Sequence, residues 1–108
     1  MNQPEYKKIN KDGIEINTVL IQMPKANLII AASGCGFVMC GYLDISIAEK
    51  MGDIACVVSG VSTVDQMLEK PVVKLTEAAK TLGIELGMSG LDALKKMYNK
   101  DSDSPAFI

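Results

Sequence analysis

Apolar and polar positions alternate one by one early in this chain and then change period. Ile14, Ile16 and Thr18 alternate with Glu15 and Asn17, which predicts a strand with one buried and one wet face. Tyr6 to Lys11 reads as its partner strand. Asp12-Gly13 between them supplies the positive φ angles of a tight hairpin turn. From Val19 to Met23 the pattern turns continuously apolar, as in a strand covered on both sides. Pro24-Lys25-Ala26-Asn27 marks a second turn and Leu28 to Ala32 a further strand. Ser33-Gly34-Cys35-Gly36 is a third turn, leading into Phe37-Val38-Met39-Cys40.

At Gly41 the period lengthens. Leu43, Ile45, Ile47, Ala48 and Met51 fit one broad helix face, and Gly52 suits the left-handed residue that closes a helix. Ile54 to Val58 is then a short apolar strand, so residues 36 to 58 form a strand-helix-strand unit whose strands pair either parallel or antiparallel. Ser62-Thr63-Val64-Asp65 matches a capping box, with Ser62 at the N-cap and Asp65 three residues on, opening a short helix through Glu69. Pro71 ends it and suits the first turn of a helix over Val72 to Leu82, stopped by Gly83. Ser89-Gly90-Leu91-Asp92 repeats the capping pattern and opens a last helix to about Tyr98. The expected class is α/β (α+β): an N-terminal β-meander or hairpin region feeding a β-α-β unit, then two to three C-terminal helices.

At 108 residues the chain is expected to form a single domain, over about 1–99, with a polar, disordered tail at 100–108. A positive mean hydropathy in so small a chain suggests that other subunits hide some apolar surface. The continuous strands within about residues 5–33 are where such an oligomerisation region would lie. A net charge of −2 with scattered lysines lacks the concentrated basic face that nucleic acid requires. The N-terminus lacks the charged and apolar regions of a secretory signal, and no apolar run is long and unbroken enough to suggest a membrane span. Three cysteines cannot form a closed intrachain disulfide framework, and a reduced, cytoplasmic protein is the economical expectation.

The composition narrows the chemistry sharply. There is no histidine and no arginine, since all 11 basic residues are lysines. Ser-His-Asp and Cys-His pairs are therefore excluded within the chain. Cys40 is the sharpest catalytic candidate. It stands at a strand end, just before Gly41 and an expected helix start, where free N–H groups favour a thiolate. The competing reading is a small buried hydrophobe. Asp44 is the second candidate, against its plainer role of complementing the helix dipole. Gly36 and Gly41 would let a ligand approach the backbone. Ser59, Gly60, Ser62 and Thr63 follow a strand and open a helix, a setting for anion binding, although capping explains the same residues. Cys35, Cys40 and Cys56 lack the spacing and the fourth ligand of a metal site, so no metal and no cofactor is expected.

Two stretches, Met23-Pro24-Lys25-Ala26-Asn27-Leu28 and Gly36-Phe37-Val38-Met39-Cys40-Gly41-Tyr42-Leu43-Asp44, resemble the YunC-like family, a domain of unknown function (DUF1805). Gly60 to Leu68 and Leu82 to Gly90 are similar to the same family in the same order, so that the resemblance spans about residues 13 to 98. It implies a small α/β domain whose N-terminal β region mediates tetramer formation, and it implies no reaction. Cys40, Gly41 and Asp44 fall on motif positions of that family.

Three readings follow. The leading one is a cytoplasmic homo-oligomer, a tetramer through its N-terminal strands, that binds a small ligand near the Gly34–Asp44 loop or the Ser59–Thr63 turn. The second is an enzyme or redox protein using Cys40. The third is a structural or interaction module with no ligand.

Overall fold

The computed structural model describes residues 4–103, with side chains described through Asn99. Six strands form one sheet in chain order: β1 (Glu5–Lys11), β2 (Ile14–Gln22), β3 (Asn27–Ser33), β4 (Gly36–Met39), β5 (Ile54–Val57) and β6 (Lys74–Leu75). Every neighbouring pair is antiparallel except β4 and β5, which run parallel. That parallel step needs a crossover, and α1 (Ile45–Met51) supplies it. Three helices follow: α2 (Val64–Glu69), α3 (Glu77–Thr81) and α4 (Gly90–Asp103). The expected mixed class, with a hairpin region, a β-α-β unit and C-terminal helices, is the observed one.

The hairpin forms as its turn chemistry requires, with Asp12 at φ 52° and Gly13 at φ 84°. Lys95 of α4 pairs with Asp12 at 2.8 Å and fastens this turn to the helix. Period-2 burial along β2 is complete over its first half: Ile14, Ile16 and Thr18 are buried and Glu15 and Asn17 exposed. Ile14 and Ile16 join Ile29, Ala31, Val38, Cys56 and Val58 in one core, against Met67 and Leu68 of α2, Ala79 of α3, and Ala93, Leu94 and Met97 of α4. The opposite face carries a smaller cluster, in which Met39, Ala55 and Val57 pack against Ala48 of α1.

α1 covers that second face only in part, because it packs on β5. The register aligns Tyr6, Val19, Ile30 and Met39 in a single row across β1 to β4. Met39 is buried under the α1 side, Val19 and Ile30 are half-buried, and Tyr6 is 73% exposed. This row therefore presents apolar side chains to solvent, beside the exposed Glu15 and Asn17 on the same face.

Three local expectations are corrected. The α2 cap sits one residue later than read from sequence: Thr63 is the N-cap and Gln66, not Asp65, closes it. Thr63 Oγ1 accepts from Gln66 N–H at 3.1 Å, while Gln66 Oε1 accepts from Ser62 N–H at 2.8 Å. The longer glutamine side chain reaches back where an aspartate would fall short.

The helix expected over Val72–Leu82 shrinks to α3. Its first half instead lies along β5, where Val73 N–H donates to Val57 O at 2.8 Å and Thr76 N–H to Ala55 O at 3.0 Å. Pairing at the sheet edge outweighs the local helical pattern, and Thr76 then caps the shortened helix, its Oγ1 accepting from Ala79 N–H at 3.2 Å. The last helix starts as expected, with Ser89 Oγ accepting from Asp92 N–H, but it runs to Asp103 rather than ending near Tyr98. Residues 104–108 of the expected tail lie outside the described residues.

Candidate functional site

In a sheet with a parallel pair, the carboxyl ends of the parallel strands open a crevice that side connections do not fill. Here β4 and β5 end at Met39 and Val57. The two loops that leave them, Cys40–Asp44 and Val58–Thr63, face each other. They meet at Gly41, where an added Cβ would lie 3.6 Å from Ser59 Cβ. Gly41 is shared by two adjoining cavities. One, of about 310 Å³, is lined by Ala26, Asn27, Cys40, Tyr42, Gly60 and Val61 as well as Gly41. The other, of about 340 Å³, adds Leu43, Asp44, Ser59, Val73 and Lys74.

The two sequence motifs thus converge, but not in full. Gly36 lies at the far end of β4 from this crevice. A Cβ there would meet Ile54 O at 2.5 Å and Met97 Sδ at 2.8 Å, and one on Gly34 would meet Met97 O at 2.5 Å. These two glycines serve the close approach of the β3–β4 turn to α4. Residues Gly34 to Asp44 are therefore not one loop: a strand separates the Gly34-Cys35 turn from the Cys40–Asp44 segment. Ser62 and Thr63 stand beside the crevice with their polar groups committed. Ser62 N–H and Oγ bond Gln66 Oε1, Asn27 Nδ2 donates to Ser62 O at 2.8 Å, and Thr63 Oγ1 caps α2.

Cys40 is 3% exposed and belongs to the main core. It does not abut a helix terminus, because Gly41 to Asp44 intervene before α1. Its Sγ instead accepts the Ile29 N–H at 3.3 Å. Asp44 is the N-cap of α1 rather than a first-turn residue; its Oδ1 accepts from Ser46 N–H at 2.9 Å and Ser46 Oγ–H at 2.7 Å. Those bonds from the Ser46 hydroxyl and backbone hold its carboxyl below the usual aspartate value, with smaller help from the Lys74 and Lys50 charges. An ionised Asp44 beside Lys74 gives the crevice a carboxylate and an ammonium on otherwise apolar walls.

Of the other thiols, Cys35 is exposed in the β3–β4 turn, with its S–H donating to Met97 O at 3.3 Å. Cys56 is buried in β5, and burial pushes its thiol up to about 12. Among the described residues no group of three or more Cys, Asp and Glu side chains could hold a metal ion. No described helix is long and apolar enough to cross a membrane.

Lys74, Tyr42 and Asn27 are crevice residues that sequence reading did not single out. Lys74 reaches the crevice only because β6 pairs with β5, which no local pattern announced. Tyr42 sat within a motif already under scrutiny, and a large aromatic directly after the turn residue Gly41 was an available signal for exposure.

Comparison with known proteins now fixes the lineage. The model of DUF1805, a domain of unknown function, matches residues 39–97. The chain is also 41% identical over 90 residues to the uncharacterized protein YunC of Bacillus subtilis (strain 168), covering 80% of this chain and 89% of that one. This chain belongs to the DUF1805 family. A crystal structure of a protein of unknown function from Thermoplasma acidophilum superposes on this DUF1805 chain with a TM-score of 0.83. That match has 30% identity and covers 88% of this chain and 93% of that one. The matched DUF1805 region holds both loops of the crevice and Lys74. It excludes β1, β2 and β3, which carry the uncovered sheet face.

Proposed function

We propose that this protein is a cytoplasmic homo-oligomer, a tetramer, assembled through the open half of its sheet, and that it binds a small ligand in the crevice around Gly41. The observation that carries the binding site is the meeting of Gly41 and Ser59 at the carboxyl ends of the two parallel strands. Gly41, Ser59 and Gly60 would line the ligand, with Asp44 and Lys74 offering one charge of each sign. Ser62 and Thr63 support the Ser59 loop from outside, while Gly36, at the other end of β4, takes no part. The assembly claim rests on the row Tyr6, Val19 and Ile30: a half-exposed apolar face on three strands is costly in water and is removed by a second copy. A small-molecule ligand and copies of itself are the partners proposed; neither nucleic acid nor membrane is among them.

The test is NMR titration of the labelled protein with a fragment library. Binders should shift the amides of Gly41, Tyr42, Ser59 and Gly60, and Gly41→Val, which fills the crevice, should abolish those shifts. Binding confined to other surfaces would sink the crevice reading. For assembly, Tyr6→Glu combined with Ile21→Lys, at a residue two beyond Val19 in β2 and so on the same face, should lower the mass seen by sedimentation velocity. A wild-type monomer at micromolar concentration would end that part of the proposal.

Cys40 as a nucleophile or redox thiol is the alternative. It requires a sulfur that reagents can reach, whereas the Cys40 side chain is buried and bonded to Ile29 N–H.

A further inference from the structure

The crevice around Gly41 does not end at Val73 and Lys74. A larger cavity, about 670 Å³, adjoins it there: Ile45, Val73 and Lys74 line both this cavity and the crevice cavity that contains Asp44. The larger cavity is mainly apolar, through Ile45, Val73, Leu75, Ile84 and Leu86. Ile84 is buried, whereas Val73 and Leu86 are 45% and 64% exposed and gain by being covered. The segment carrying Leu86 is held beside β6. Val72 N–H donates to Met88 O at 2.8 Å, and Gly87 N–H donates to Val72 O at 2.9 Å.

The crevice end is polar. Asp44 and Lys74 line one cavity there. Behind the bonds from the Ser46 hydroxyl and backbone, the Lys74 charge also lowers the Asp44 carboxyl, so the two groups lie within electrostatic reach. They are nevertheless not paired: ion pairs among the described residues join only Lys8 to Glu15 and Lys95 to Asp12. The N–H groups of Gly41, Tyr42 and Ser59 likewise have no acceptor among the described residues. An anionic head alone would leave Asp44 facing a like charge, and a cationic head alone would do the same to Lys74. A head carrying both charges satisfies both, its carboxylate accepting from Lys74 and the N–H groups and its ammonium donating to Asp44. Glu77, Lys80 and Glu85 border the larger cavity and not the crevice.

Resting on the crevice reading proposed above, we infer that the ligand is a free α-amino acid with a large apolar side chain. Its zwitterionic head sits between Asp44 and Lys74, and its side chain enters the larger cavity past Ile45 and Val73. In such a molecule ammonium, carboxylate and side chain all hang from one carbon. One ligand therefore reaches both charges and the apolar walls from the junction where Val73 and Lys74 belong to both cavities.

Titration of the labelled protein with leucine, isoleucine, methionine and phenylalanine, followed by NMR, tests this. The tightest binder should move the amides of Gly41 and Ser59 together with those of Leu75 and Leu86. Its analogue lacking the carboxylate, its analogue lacking the ammonium, and glycine should each bind at least about tenfold more weakly. Lys74→Gln should abolish the preference over the first analogue. Asp44→Asn, which keeps a helix-capping side chain, should abolish the preference over the second. Circular dichroism checks that both variants are folded. Equal binding of a singly charged analogue or of glycine would overturn the inference, as would preferences unchanged in the variants, or shifts that leave Gly41 and Ser59 unmoved. Failure of all four amino acids to bind would also overturn it. If library fragments still shift Gly41 and Ser59 in that case, the crevice reading stands and only the amino acid falls; if nothing binds there, both fall.

Discussion

Cys40 and Ile29 are joined in both directions: Ile29 N–H donates to Cys40 Sγ at 3.3 Å, and Cys40 N–H donates to Ile29 O at 3.1 Å. The bond pair extends the β3–β4 ladder by one step beyond Met39 and gives the sulfur a structural partner. Cys40→Ala removes the acceptor and leaves a buried N–H, which should cost about 1–3 kcal/mol in urea unfolding. Cys35→Ala, at an exposed position, should stay within about 0.5 kcal/mol. Equal effects would show that the sulfur of Cys40 contributes nothing there.

Thiol labelling should separate the three cysteines. In the native protein at pH 8 one thiol per chain, Cys35, should react with iodoacetamide. Cys40 and Cys56 should label only after denaturation, because both are buried. Rapid labelling of Cys40 in a Cys35→Ser background would revive the nucleophile reading and contradict the packing described above.

Cys56 predicts an alkaline limb of stability. Its folded value, about 12, exceeds the ordinary thiol value of 9.0, so between them the folded state holds a proton that the unfolded chain releases. Stability therefore falls as pH rises above about 9. Cys56→Ala should flatten that part of the curve, measured by urea unfolding from pH 8 to 10.5, whatever its cost at neutral pH.

The acid limb should respond to Asp12. The hydrogen bond and charge of Lys95 hold its carboxyl below the ordinary value of 3.8 and raise the Lys95 ammonium in return. A depressed carboxyl contributes stability above its unfolded value that is lost as pH falls through the folded one; a raised lysine contributes below its unfolded value and loses it above the folded one. The pair thus acts between about pH 4 and pH 10. Asp12→Asn keeps the positive φ of the turn, and it should reduce the loss of thermal stability below pH 4, more visibly at low salt.

The glycines should divide into two classes. Gly34→Ala puts a Cβ 2.5 Å from Met97 O at a φ of +58°, and should destabilise by roughly 1–3 kcal/mol. Gly41→Ala meets only Ser59 Cβ at 3.6 Å and should be nearly neutral for folding. Calorimetry of the two variants distinguishes packing glycines from the crevice glycine; a large loss at Gly41 would make its role structural instead.

Features that depend on neighbours along the chain were legible before any tertiary contact was known. Alternation of Ile14, Ile16 and Thr18 with Glu15 and Asn17 fixed the buried face of β2, Asp12-Gly13 fixed its turn, and Gly52 and Ser89 marked helix ends, because side-chain period and cap chemistry act over a few residues. Tertiary structure decided the rest. Val72 to Leu75 left their helical pattern because partners distant in sequence take up this segment: Val72 bonds Gly87 and Met88, Val73 N–H donates to Val57 O, and Lys74 and Leu75 pair with β5. Cys40 became a core residue with a backbone partner on β3, and Gly36 turned toward α4 while Gly41 turned toward Ser59, although all three lie in one short motif. Four residues of extended strand carry Gly36 and Cys40 to opposite ends of the sheet, and only the long-range packing of α4, β5 and the Ser59 loop settles what waits at each end.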